Sequence, residues 1–143
     1  MLTLLHSELP VKIEIFPYRL LEMGREFLLI KRVPEDGGFW QPVTGTLEFN
    51  ESLNDCGLRE LREELGVPTE SLNLSEEAYR FSWQKQAYVV VELAYGVQLH
   101  SDQTIVLSTE HEDYRWLSDT DALAALEKEN NRIALAKLIE LLG

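Results

Sequence analysis

From Leu53 to Leu65 the chain reads LNDCGLRELREEL, and this stretch constrains the fold more than any other. At 3.6 residues per turn, Glu60, Glu63 and Glu64 fall within an arc of roughly 100° on one helix face. Leu58, Leu61 and Leu65 gather on the opposite side. Gly66 can take the left-handed conformation that closes a helix, and Pro68 stands just beyond it. A helix of this kind buries its leucines and points three carboxylates outward together, so the remainder of the chain must supply the layer that covers the leucines.

Several segments can supply it. Val11 to Phe16 sets Val11, Ile13 and Ile15 alternately with Lys12 and Glu14, the period of a strand. Phe27 to Ile30 is a continuous apolar run that exits into Lys31-Arg32, and Tyr88 to Val97 is the strongest strand signal. Arg80 to Trp83 and Tyr114 to Leu117 are weaker strand candidates, and Pro34 to Gly38 breaks regularity. A second helical region, Asp121 to Leu142, is expected as two pieces interrupted near Asn130-Asn131. Ile133, Ala136, Leu138, Ile139 and Leu142 give it a core-facing stripe. Strands interleaved with a few helices predict an α/β fold with a mixed sheet covered by helices on its faces. The 143 residues, with no repeat or linker, fit a single domain spanning 1–143.

Charge narrows the function classes. Acidic side chains outnumber basic ones by 25 to 13, for a formal charge of −12, which argues against binding a nucleic acid polymer. A polyphosphate would be repelled too, unless cations intervene. Cys56 is the only cysteine, so neither an internal disulfide nor a cysteine zinc cluster can form. Met1 to Pro10, which holds His6 and Glu8, lacks a basic segment followed by a long apolar one. No stretch approaches the ~18 uninterrupted apolar residues of a membrane helix, and a cytoplasmic location is expected.

The helix carboxylates are the part a soluble surface does not explain. Like charges at these spacings cost a few tenths of a kcal/mol per pair, and they lie toward the helix end that disfavours anions. Arg59 and Arg62 relieve this partly. On the three acids alone a solvated face is the simpler reading, but a hard divalent cation with oxygen ligands would turn the repulsion into a platform.

Gly45, five residues, Glu51, seven residues, then Arg59-Glu60-Leu61-Arg62-Glu63-Glu64-Leu65-Gly66-Val67 resembles the Nudix box at every defined position. The box covers 23 of the 143 residues. The resemblance implies a Nudix α/β/α sandwich and a pyrophosphohydrolase that uses Mg²⁺, with Mn²⁺ as the alternative. It implies that Glu60, Glu63 and Glu64 bind metal, that Glu60 or a nearby acid orients the attacking water, and that Arg59, with Glu51, holds a catalytic glutamate in place. The turn at Thr44-Gly45 would offer a backbone carbonyl to the metal, and Glu110 would be a further ligand or base.

The flanks resemble two subfamilies. Phe39 to Gly45 is similar to the segment before the box in dihydroneopterin triphosphate pyrophosphatases. Ser108 to Leu117 resembles both these and the asymmetric diadenosine tetraphosphate hydrolases. The substrate implied is a small nucleotide-like diphosphate, a nucleoside or pterin triphosphate first and a dinucleoside polyphosphate as the alternative. A non-catalytic nucleotide sensor is disfavoured because every acid of the box is present. A monomer or homodimer, with no membrane partner, is expected.

The neighbouring residues admit two readings each. Lys31 and Arg32 either end a strand or meet a polyphosphate. Trp40 and Trp116 are core residues by default, Trp40 being the better stacking candidate because it is expected in a loop. His111 is expected at a partly exposed loop position unless it meets phosphate. Gly57, which costs about 1 kcal/mol in mid-helix relative to Ala, is assigned with Cys56 to close packing against the glycine loop.

Overall fold

A computed structural model describes residues 10–143. Of the segment read above for targeting signals, residues 1–9, His6 and Glu8 included, lie outside the described residues. Strands are β1 (Val11–Leu21), β2 (Gly24–Arg32), β3 (Trp40–Gln41), β4 (Val43–Thr46), β5 (Tyr79–Lys85), β6 (Tyr88–Gln98) and β7 (His111–Ser118). Helices are α1 (Leu53–Leu65), α2 (Asp119–Ala125) and α3 (Glu129–Leu142).

The seven strands of the described residues form one mixed sheet, and β1 is its spine. One edge of β1 runs parallel to β6 from Val11 to Tyr18. The other edge is divided: Lys12–Ile15 pairs antiparallel with β4, and Tyr18–Leu21 pairs antiparallel with β2. Beyond β6 lies β5, while β2 carries β3 on one side and β7 on the other.

Alternation along the strands feeds two cores, one on each face. Ile13, Ile15, Leu28, Ile30, Leu93 and Tyr95 pack with Cys56, Leu61 and Leu65 of α1. Phe16, Phe27, Leu29 and Ala94 pack with Ala122 of α2 and with Ala134, Leu135 and Leu138 of α3. The architecture is the expected α/β/α sandwich. No helix among the described residues is long and apolar enough to cross a membrane.

The structure corrects several local expectations. Trp40 lies in β3, not in a loop, and Thr44 and Gly45 lie in β4, not in a turn. The C-terminal break falls at residues 126–128, before Asn130-Asn131, and Ala136 is exposed while Ala134 and Leu135 are buried. Gly57 is not packed on the glycine loop: an added Cβ would lie 2.7 Å from Leu74 Cδ1 and 3.1 Å from Ile15 Cδ1. Glu14, the polar half of an alternating strand, is fully buried because the sheet is covered on both faces.

The helix α1 is bounded where its sequence predicts. Ser52 Oγ accepts the amide of Asp55 at 3.0 Å, and Gly66 closes the helix at φ 65°. A side chain at Gly66 would also meet Val106, whose Cβ lies 3.0 Å from the position of an added Cβ. Gly66→Ala should therefore destabilise the protein by about 1–3 kcal/mol through left-handed strain and crowding. Urea unfolding with an unchanged slope and a lower midpoint is the expected result; an unchanged midpoint would count against this view of the cap.

Candidate active site

The site is assembled around α1 by two sets of contacts. The first centres on Arg59. Its Nε donates to Glu51 Oε2 at 2.7 Å and its Nη2 to Glu51 Oε1 at 3.0 Å, a bidentate clamp. Nη2 also donates to the Thr46 carbonyl at 3.1 Å, while Nη1 reaches Glu60 and Glu63 at 3.3 Å. One guanidinium thus joins the end of β4, the following loop and the helix acids. Hydrogen bonding to Arg59 pulls Glu51 down to about 2.

The second set lies at the C-terminal end of α1, whose last carbonyls have no partner within the helix. The amide of Val106 donates to Leu65 O at 2.8 Å, and that of Ser108 donates to Glu64 O at 3.1 Å. Docked in this way, the loop before β7 lays its side chains beside the helix. Ser108 Oγ donates to Glu64 Oε1 at 2.7 Å, and His111 Nδ1 lies 3.7 Å from Glu64 Oε2.

A cleft of about 560 Å³ results, lined by Glu60, Glu63, Glu64 and Glu110, with Lys12, Thr44, Gly45, Arg59 and Ser108 around them. Burial is the largest cause that pushes Glu60 up to about 7; Arg59 opposes it, and the neighbouring Glu63 and Glu64 add to it. Glu64 is also raised, by burial first, with the Ser108 hydrogen bond opposing. Gly45 lies so close to Glu60 that an added Cβ would fall 1.8 Å from its carboxylate oxygen. Only glycine leaves room for that carboxylate there.

Among the described residues the acids do not converge into a ready cation cage. Each has turned to the nearest donor instead: Glu60 and Glu63 to Arg59, Glu64 to Ser108. The donor set still suits a hard divalent cation. It is all oxygen, and burial holds Glu60 and Glu64 in a state that proximity of positive charge would relieve.

Of the other residues singled out in the sequence, the structure brings Arg32 near. It lines a second cavity, and its buried Nε has no hydrogen-bond partner. An irregularity of the β2–β7 pairing between Lys31 and Arg32 sends these neighbours to different surroundings. Lys31 pairs with Glu112 at 3.3 Å and lines neither cavity. Trp40 also lines neither; it packs on the α2–α3 core with the Arg115 guanidinium 5.1 Å from its ring centre. Trp116 packs against the α1-side core, as expected. His111 is buried at the start of β7, not a partly exposed loop residue, and lies 3.4 Å from Gln41 Nε2 and from Ser108 Oγ. Burial, then the Arg32 guanidinium, pushes its pKa down. Cys56 is buried and pushed up to about 12 by burial, which fits its structural assignment.

Sequence reasoning missed Lys12, Ser108, Glu14 and Glu92. The second cavity, about 380 Å³ on the α3 face, is lined by Phe39, Gln41, Phe81, Trp83, Glu92 and Asn131, together with Lys12 and Thr44. Lys12 and Thr44 line both hollows, so the two are contiguous. Only the strand alternation that places Lys12 hinted at this wall.

The family profile described as NUDIX domain matches residues 17–141. The chain is 30% identical over 142 residues to the dihydroneopterin triphosphate diphosphatase of Escherichia coli K12, covering 91% of this chain and 92% of that one. It is 34% identical over 101 residues to the asymmetrical bis(5′-nucleosyl)-tetraphosphatase of Sus scrofa, covering 68% and 67%. An octanoyltransferase of Myxococcus xanthus is 35% identical over 100 residues, but the match covers 69% of this chain and only 28% of that protein. In fold, the C. elegans Ap4A hydrolase in a binary complex superposes with a TM-score of 0.79 at 22% identity, covering 92% of this chain and 96% of that one.

The raised Glu60 has a consequence for stability without divalent cations. Its folded pKa of about 7 exceeds its ordinary value of 4.5. The stabilisation tied to that proton is complete below about pH 4.5 and is lost as pH rises through about 7. Relative to Glu60→Gln, the wild-type protein should lose on the order of 1–3 kcal/mol across that window. Denaturant midpoints measured in chelator at pH 4.5 and pH 8 test this, and parallel curves for the two proteins would refute it.

Proposed function

The chain belongs to the Nudix family, and on that footing we propose that it is a pyrophosphohydrolase that splits a diphosphate linkage in a nucleoside or pterin triphosphate. Nudix hydrolases generally use a divalent metal, and here Mg²⁺ is the proposed ion. The observation that carries the reading is a single cleft that gathers Glu60, Glu63 and Glu64 of α1 with Glu110 from a distant loop, and sets Lys12 beside them.

In this reading Glu60, Glu63, Glu64 and Glu110, with a backbone carbonyl near Thr44, would hold the ion. When bound it neutralises phosphate charge and lowers the pKa of water. A carboxylate of the cleft orients the attacking water and takes its proton, for which a pKa near neutrality is suited. Water oxygen bonds to phosphorus as the bond to the leaving pyrophosphate breaks, giving a monophosphate and pyrophosphate. Lys12 and Arg32 offset charge on the polyphosphate, and Arg59 acts as a positioning residue through Glu51, Glu60 and Glu63. Catalysis of this kind rests on positioning and electrostatics more than on covalent chemistry.

The relative from Escherichia coli favours a triphosphate, and its alignment runs nearly the length of both chains. The relative from Sus scrofa supports a second reading, a dinucleoside polyphosphate cut into unequal parts. Products resolved by chromatography distinguish them: pyrophosphate from the first, a nucleoside triphosphate from the second.

Glu64→Gln should lower kcat by about 10³-fold at saturating Mg²⁺, since the amide keeps the shape and loses the charge. The metal-free variant should melt no lower than wild type, because Glu64 is disfavoured as an anion. Near-normal turnover would sink the assignment. Glu110 and Glu112 provide an internal comparison, as Glu110 lines the cleft while Glu112 pairs with Lys31. Glu110→Gln should depress kcat strongly and alter the acidic limb of the pH profile, and Glu112→Gln should do neither; equal effects would remove Glu110 from the chemistry.

A further inference from the structure

Behind the second cavity, next to its lining residue Glu92, lies a buried acid that the hydrolytic reading does not use. Glu14 is 0% exposed, and neither of its carboxyl oxygens has a hydrogen-bond partner. An orphaned carboxyl inside a protein costs stability unless something answers it. Burial, with the neighbouring Glu92 adding to it, pushes Glu14 up to about 10. Glu92 itself is only 8% exposed and lines the cavity. Trp83 Nε1 donates to Glu92 Oε1 at 2.9 Å and fixes its orientation.

Three aromatic rings stand in the wall beside this carboxylate, among polar neighbours that include Arg32, Gln41 and Asn131. Phe39, Phe81 and Trp83 line the cavity, and the Lys128 ammonium braces Phe39 at 4.2 Å from its ring centre. At about 380 Å³ the space suits one fused heterocycle. It shares Lys12 and Thr44 with the acid cleft, so a ring held here would have its phosphates beside that cleft.

We propose that this cavity receives the heterocycle of the substrate and that Glu92, backed by Glu14, selects a 2-amino-4-oxopyrimidine edge, which pterin and guanine share. That edge offers a ring N–H beside an exocyclic amine, two parallel donors that match one carboxylate. Adenine offers a ring nitrogen lone pair at the corresponding place, and cytosine does likewise; both would face the carboxylate with repulsion. The proposal rests on the hydrolytic reading above for the placement of the phosphates, and it names the substrate class for that site.

Two measurements separate this proposal from that reading. Hydrolysis of dihydroneopterin triphosphate, guanosine triphosphate, adenosine triphosphate and cytidine triphosphate is compared in wild type and in Glu92→Gln. Wild type should favour the first two, and the variant should lose about 100-fold in kcat/KM on them, mostly through KM, with little change on the other two. The arms also distinguish pterin from guanine as the preferred source of the shared edge. Binding of neopterin and guanosine to metal-free protein, read by tryptophan fluorescence, tests the pocket without turnover. Saturable binding that weakens in Glu92→Gln would uphold the pocket even if no triphosphate were hydrolysed. Absence of such binding in wild type, with hydrolysis intact, would overturn the pocket alone. A uniform loss on all four substrates, or no loss on any, would overturn Glu92 as the selecting group. Trp83→Phe, which removes the donor and keeps a ring, should give a smaller loss on the same two substrates; an equal loss on all four would overturn the proposal as well.

Discussion

The unpaired carbonyls at the end of α1 decide where much of the site falls. A helix of this length leaves its last acceptors to be satisfied from elsewhere, and here the amides of Val106 and Ser108 do so. That docking fixes the loop before β7 against the helix terminus. Ser108, Glu110 and His111 arrive together as a result, each within reach of Glu64 or of the cleft it lines. Backbone hydrogen bonding thus delivers side chains that lie more than forty positions away in the sequence.

The other end of the acid cluster is governed by Arg59. Four carboxylates, Glu48, Glu51, Glu60 and Glu63, lie within 4 Å of its guanidinium nitrogens. The planar fork can serve several acceptors at once where a lysine would serve as a point charge. Its grip on Glu51 and Thr46 sets the loop after β4, so Gly45 and Glu60 come into contact. The acids remain mutually repulsive, and burial intensifies the repulsion at Glu60 and Glu64. Such an arrangement is poised to accept positive charge.

Local pattern explains what could be read from the chain and what could not. The bounds of α1 follow from leucine spacing and Gly66, both local signals, and the two-faced sheet follows from alternation and interleaved helices. Alternation names two faces but does not say that both will be covered, so nothing in it marked Glu14, the most deeply buried acid among the described residues. Lys12 was hidden by the same ambiguity. His111 lacked any local sign of burial because its position depends on the docked loop. Trp40 looked like a loop residue because Pro34 to Gly38 breaks the chain before it, whereas pairing of Lys31 with Trp40 and Ile30 with Gln41 restores a short strand. Glu110 was placed by resemblance, and its neighbourhood depends on the carbonyls of Leu65 and Glu64.

The divided edge of β1 has a mechanical consequence. β4 leaves the spine after Ile15 and β2 joins it at Tyr18, and between them stand Phe16 and Pro17. Proline has no amide hydrogen, so a strand that changes partners there has one fewer donor to strand. The fork makes β4 a short arm held to the spine through four residue pairs, while β6 is held through eight. α1 leans on that short arm and on the loop that Arg59 secures. Local opening follows the size of the cooperative unit, so the arm carrying the acids can breathe while the long zipper of β1 and β6 stays shut.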